Sequence, residues 1–307
     1  MSEQVRVYEV GPRDGLQNEA QPIPIEAKLR YLELLADAGL REIEATSFVS
    51  PRAIPQLADA DELMARLERR TGVRYPVLVP NARGMARAIE ADVEAICIFT
   101  AASEAFTQHN IGMTIAAALD AFGEVMAPAR ERGMWTRGYV STAFGCPYQG
   151  EVGEAAVVGV TRQLLDLGVD EVSIGDTIGV AGPRDVRRVV GALLEAGIEP
   201  RQLAMHFHDT RGTALANVST ALELGIRTFD ASTGGTGGCP YAPGAAGNLA
   251  TEDLVYLLER EGHDHGVDLG KLLEAAAFIA ETLGRPLATK VGQAGGWDPG
   301  DVGAAGS

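Results

Sequence analysis

Apolar residues recur along the chain with two alternating periods. Short runs rich in β-branched and aromatic residues read as strands: "VRVYEV" (5–10), "EIEATS" (42–47), "YPVLVPN" (75–81), "AICIFTA" (95–101), "WTRGYVS" (135–141), "EVSIGDT" (171–177), "LAMHFHD" (203–209) and "RTFDAST" (227–233). Between them lie longer stretches with apolar residues three and four apart, over 25–39, 59–70, 83–91, 114–132, 152–167, 183–196, 212–224 and 250–261. These read as amphipathic helices, several closed by a glycine such as Gly39, Gly168, Gly197 or Gly225. Eight strand–helix pairs imply an α/β fold with a parallel sheet, and their regularity favours a closed (β/α)8 TIM barrel over an open doubly wound sheet. A further helix is expected over 268–283. Residues 1–285 then form one catalytic domain, and the Gly/Ala-rich segment 286–307 is expected to be a poorly ordered tail.

Composition narrows the class. The 307 residues carry a formal charge of −16, which argues against non-specific nucleic-acid binding but leaves room for a local positive patch that holds an anionic small ligand. No run of 18 apolar residues occurs, so no membrane association is expected. The start "MSEQVRVYEV" lacks the pattern of a secretory signal. Three scattered cysteines, Cys97, Cys146 and Cys239, suit neither a disulfide framework nor a Cys-rich zinc site, and a cytoplasmic setting is expected.

In a barrel of this kind the chemistry belongs at the C-terminal ends of the strands. Polar residues expected there are Arg13, Asp14, Glu44, Ser47, Asn81, Arg137, Ser173, Asp176, Thr177, His206, His208, Cys239 and Asn248. "HFHD" is the sharpest local signal. Residues two apart on a strand face one side, so His206 and His208 can converge on one ion. Two buried core histidines are the plainer alternative, but Asp14 just after the first strand favours a cation site. Two imidazoles, a carboxylate and the Asn248 amide suit Mg²⁺ or Mn²⁺ at least as well as Zn²⁺. In "GPRDGLQ", Arg13 could be held by a bidentate contact from Glu44 and so clamp a developing enolate oxygen.

The segments "VYEVGPRDGLQNE", "EATSFVSP", "RGYVSTAFGCPYQG", "EVSIGDTIGV", "HFHDTRGTALAN" and "GGCPYAPGAAGNLATEDLVYLLE" together resemble the hydroxymethylglutaryl-CoA lyase family, over about residues 5–285. The resemblance implies retro-Claisen cleavage of an acyl-CoA thioester to acetyl-CoA and acetoacetate. It implies a divalent cation on Asp14, His206, His208 and Asn248, with His206 counted also among the catalytic groups. Arg13, held by Glu44, would stabilise the product enolate, Asp176 would sit at the substrate hydroxyl, and Cys239 would be a mobile acid/base. Ser47, Asn81, Arg137, Ser173 and Thr177 are expected to line the substrate with Arg13. A homo-oligomer such as a dimer is the expected assembly.

The chain departs from the family pattern at several points. Arg211, Gly212 and Thr213 follow "HFHDT" where Tyr-Gly-Gln is usual, "STGGTGG" replaces "SVAGLGG", and Gln108 and His109 stand where lysines are common. These departures bear on the acyl group more than on the reaction, so a citramalyl-CoA or a longer 3-alkyl-glutaryl-CoA is an alternative substrate. A Claisen-type synthase is disfavoured by "GPRDGLQ", since those enzymes read "TLRDGEQ", and by length. A non-catalytic metal- or CoA-ester-binding barrel predicts loss of Arg13, Asp14, His206, His208 or Cys239, and all five are present.

Overall fold

A computed structural model describes residues 4–237 and 247–297. Its strands are β1 (Arg6–Glu9), β2 (Glu42–Ile43), β3 (Thr46–Ser47), β4 (Val77–Leu78), β5 (Ala95–Ala101), β6 (Trp135–Ser141), β7 (Glu171–Asp176), β8 (Leu203–Phe207) and β9 (Thr228–Ala231). All pair in parallel in the order β2-β1-β9-β8-β7-β6-β5-β4-β3. The two ends of this ladder are halves of the one strand expected over 42–47. Glu44 N donates to the Glu9 carbonyl on one side and Ala45 N to Pro76 on the other, which closes the ring.

The helices are α1 (Ile25–Asp37), α2 (Ala60–Arg66), α3 (Ala82–Glu90), α4 (Glu104–Ile111), α5 (Ile115–Glu131), α6 (Glu154–Asp166), α7 (Pro183–Glu195), α8 (Ala214–Glu223), α9 (Thr251–Glu261), α10 (Leu269–Leu283) and α11 (Val291–Ala294). In α7, Val186, Val189, Val190 and Leu193 are fully buried, an i, i+3, i+4, i+7 stripe. Pro183 opens this helix at N1, and Gly197 beyond its end takes φ 84°, a left-handed conformation that glycine adopts at little cost. The α4 helix was not apparent in the pattern of apolar positions. Its start is set by Ser103, whose Oγ accepts from Phe106 N.

Strand side chains alternate between two environments. Val172 and Ile174, Met205 and Phe207, and Phe229 and Ala231 face outward into the main core beneath the helices. Glu171, Ser173, His206 and Asp230 face the barrel interior, where Asp230 meets Ser173 and His206, and Arg137 links it to Glu171. The segment after residue 285, expected as a loose tail, docks as far as α11. Asp253 accepts from Thr289 Oγ1 and from the backbone N–H groups of Lys290 and Val291, and Leu287 and Val291 are buried. No single helix among the described residues is long and apolar enough to cross a membrane. Leu193→Ala, on the fully buried stripe of α7, should lower stability by about 2–5 kcal/mol in urea unfolding; a loss below about 1 kcal/mol would show that this face packs loosely.

Candidate active site

The turn after β1 creates the first part of the site. The Val10 carbonyl accepts from the N–H groups of Arg13, Asp14 and Gly15, folding Gly11–Gly15 into one tight turn at the barrel mouth. Gly15 is required by close approach, because a Cβ there would lie 2.3 Å from Thr236 Oγ1. The opposite wall comes from β8 and the segment beyond β9. His208 pairs with Asn248 in an antiparallel bridge, and the His206 and His208 rings lie 5.3 Å apart.

One ligand atom from each of Asp14, His206 and His208 lies within 4.8 Å of the others. Asn248 completes the cluster. Its Nδ2 donates to Asp14 Oδ2 at 2.9 Å and to the Thr236 carbonyl at 3.0 Å. Both neighbours accept only, so the amide orientation is settled and Oδ1 is left buried without a partner among the described residues. His208 Nδ1 is buried and, among the described residues, unpartnered as well. An orphaned amide oxygen beside a carboxylate and two imidazoles is what a cation site requires, so these residues fit a bound divalent ion.

Electrostatics agree. Burial alone would raise the Asp14 carboxyl, but the Arg13 guanidinium, the His206 and His208 rings and the Asn248 amide hold it down at about 2. Burial, reinforced by His206, pushes His208 down to about 3, which keeps its imidazole neutral and able to donate a lone pair. Arg13 is buried between two carboxylates: Nε donates to Glu44 Oε1 and Nη1 to Asp14 Oδ1, each at 2.6 Å. One guanidinium against two carboxylates leaves a negative charge over, which again suits a cation. Glu44 holds Arg13 by a single oxygen and not by the bidentate contact expected, because its Oε2 accepts from the Tyr139 hydroxyl.

The other expected residues divide by depth. Asp176, at the end of β7, is buried; its carboxylate accepts from Val180 and Ala181 N–H, and burial raises its pKa despite those bonds and the nearby His206 and Arg211. Thr177 accepts from Thr142 N. Ser47 donates to the Leu78 carbonyl, and Asn81 caps α3 through Gly84 N at an exposed position. Arg137 and Ser173 are not at the mouth as expected. Each is the third residue of its strand, fully buried in the barrel interior, and both bond Asp230. A free arginine could not remain there, and Asp230 and Glu171 supply its counter-charge. Cys239 lies outside the described residues.

Three contributors were missed in the sequence. Tyr139 supports Glu44 and lies 5.5 Å under the Arg13 guanidinium. Gln17 donates to Asp14 Oδ1 at 3.2 Å. Asp230 contacts His206 Nδ1 at 3.2 Å. Tyr139 shares the inward parity of Arg137, which was a usable signal, whereas Asp230 becomes visible only once the register of β8 and β9 is known. The cavity of about 980 Å³ at the other end of the barrel, around Arg6, Arg74 and Trp135, holds none of these groups. Its Arg6 and Arg74 are paired with Glu42.

A parallel α/β barrel with a candidate cation centre and a pinned arginine at its C-terminal mouth defines a class of barrel enzymes. Within it, the chain belongs to the HMGL-like family, whose model matches residues 4–279. It is 49% identical over 291 residues to the mitochondrial hydroxymethylglutaryl-CoA lyase of Bos taurus, covering 95% of this chain and 89% of that one. The crystal structure of the Bacillus subtilis HMG-CoA lyase superposes with a TM-score of 0.93 at 46% identity, covering 95% of this chain and 98% of that one. An HMG-CoA lyase from Acinetobacter baumannii, solved with coenzyme A and 3-methylmalate, gives a TM-score of 0.91 at 39% identity over 96% of each chain. His208→Ala should weaken Mn²⁺ binding at least ~10-fold in calorimetric titration; wild-type affinity would remove His208 from the ligand set.

Proposed function

We propose that the chain is a divalent-metal-dependent carbon–carbon lyase that cleaves 3-hydroxy-3-methylglutaryl-CoA to acetyl-CoA and acetoacetate. The observation that carries this reading is the buried Arg13, fixed by Glu44 beside a cluster that holds one unmatched negative charge and an orphaned Asn248 oxygen. The relatives named hydroxymethylglutaryl-CoA lyase support the substrate, and the relative solved with coenzyme A supports a CoA ester.

Cleavage breaks the C2–C3 bond. The tertiary hydroxyl loses its proton and becomes the ketone of acetoacetate, and the bond pair passes to the thioester half as an enolate. Bound at Asp14, His206, His208 and Asn248, Mg²⁺ or Mn²⁺ would acidify the hydroxyl and orient it. Asp14, held at about 2, is a poor proton acceptor near neutrality, whereas burial raises Asp176, whose oxygens keep lone pairs beyond their two N–H bonds. We assign the hydroxyl proton to Asp176. Arg13 neutralises the enolate oxygen, and its own geometry needs no reorganisation because Glu44 and Tyr139 fix it beforehand. Protonation of the enolate carbon is assigned to Cys239. The cytoplasmic setting is part of the proposal and rests on the few thiols, of which Cys97 and Cys146 are buried and unpaired.

A second reading keeps the reaction and changes the acyl group. Arg211 Nη1 donates to the carbonyls of Ile178 and Gly179, so a cation sits on the loop that Asp176 anchors. A related 3-hydroxyacyl-CoA with a different C3 substituent is the alternative.

Purified protein supplied with HMG-CoA and Mg²⁺ or Mn²⁺ should release acetoacetate, and no turnover of any 3-hydroxy-3-alkylacyl-CoA by the metal-loaded chain would sink the lyase reading. Arg13→Gln should lower kcat by roughly 10²–10³ with unchanged circular dichroism; near-normal turnover would remove Arg13 from the transition state.

A further inference from the structure

Asp230 is not among the residues expected at the site, yet it occupies a defined place in it. It lies on β9 directly beside His206 in the β8–β9 register, facing the barrel interior. Its carboxylate is fully enclosed and has three polar partners among the described residues. Arg137 Nη2 donates to Oδ1 at 2.6 Å, Ser173 Oγ donates to Oδ2 at 2.8 Å, and His206 Nδ1 stands 3.2 Å from Oδ2. Arg137 is in turn an ion-pair partner of Glu171 at 3.1 Å, and Glu171 pairs with Arg6 at the far end of the barrel.

We propose that Asp230, kept ionised and oriented by Arg137 and Ser173, is a positioning residue that fixes the tautomer and orientation of His206 for the cation site. An ionised carboxylate only accepts hydrogen bonds, so the imidazole nitrogen facing it must carry the proton. With the hydrogen on Nδ1, the neutral ring has its lone pair on Nε2, the one nitrogen left for a cation shared with Asp14 and His208. The same contact restrains ring rotation, since turning the ring about χ2 would withdraw the N–H from Oδ2. Arg137, which the sequence suggested for substrate, thereby acts on the site through Asp230.

The inference rests on the cation reading of Asp14, His206, His208 and Asn248, and its test separates the two. The near-isosteric Asp230→Asn supplies the contrast. Arg137 would claim the amide oxygen at the Oδ1 position, which turns the amide NH₂ toward Ser173 and His206. His206 Nδ1 would then have to accept, and the proton would move to Nε2, where it blocks the metal.

The full chain, labelled with ¹⁵N-histidine and stripped of metal, reports the tautomer directly, with His206→Gln assigning the signals. The wild-type ring should be protonated at Nδ1, and Asp230→Asn should shift it to Nε2. Mn²⁺ affinity of Asp230→Asn should fall ~10–100-fold. Ser173→Ala, which leaves the Arg137 and His206 contacts in place, should keep the wild-type tautomer and so separates tautomer control from disturbance of the interior. A wild-type ring protonated at Nε2 would overturn the proposal even if Asp230→Asn failed to fold. So would an Asp230→Asn chain that loses thermal stability but keeps both tautomer and Mn²⁺ affinity, since that is the behaviour of a merely structural pair. A wild-type chain that binds no Mn²⁺ would overturn the cation reading itself and, with it, this role for Asp230.

Discussion

A charge taken out of water must find its counter-charge within hydrogen-bonding reach, and this barrel meets that demand in a column along its interior. Arg6, Glu171, Arg137 and Asp230 follow one another from the bottom upward, and Arg13, Glu44 and Asp14 form a second group at the mouth. The lower group balances, two guanidinium groups against two carboxylates. The upper group does not, and its surplus negative charge lies where Asn248 Oδ1 and His208 Nδ1 have no partner among the described residues. Uncompensated buried charge and unmade hydrogen bonds are costly, and a divalent cation removes both costs together.

The same pairing makes the site rigid before any ligand arrives. Arg13 has a carboxylate on each side and an aromatic ring beneath it, Glu44 is held by Tyr139, and Asp14 is shared by Arg13, Gln17 and Asn248. Groups already held in place pay little reorganisation when charge develops on a substrate oxygen, which is how a single arginine can account for a large part of a rate. The glycines near the mouth serve this compactness. Gly15 lets Thr236 approach, and Gly237, at φ 90°, leaves room for the Asn248 amide, which a Cβ would meet at 2.6 Å.

Much of this was legible in the chain. The alternation of short and long apolar periods matches β5 and β6 residue for residue, and the His-x-His spacing brings two imidazoles together at the end of β8, where the bridge to Asn248 holds His208 just past the strand. Depth was not legible. Arg137 and Ser173 are expected with the polar residues of the strand ends but lie deeper, since a sequence does not say how far along the axis a strand residue sits. The break of 42–47 into β2 and β3 arises from ring closure, where one strand must bond two neighbours in turn. Asp230 was invisible for a related reason. Within "RTFDAST" it is an ordinary aspartate, and only the register opposite His206 gives it a task.

The central claim is that the surplus negative charge, the two imidazoles and the orphaned Asn248 oxygen at the mouth form one divalent-cation site. Anomalous diffraction from crystals of the full chain grown with Mn²⁺ tests it most directly. The account predicts one strong peak in coordination contact with Asp14, His206, His208 and Asn248 Oδ1. A peak elsewhere, or none at the mouth at saturating Mn²⁺, would contradict it.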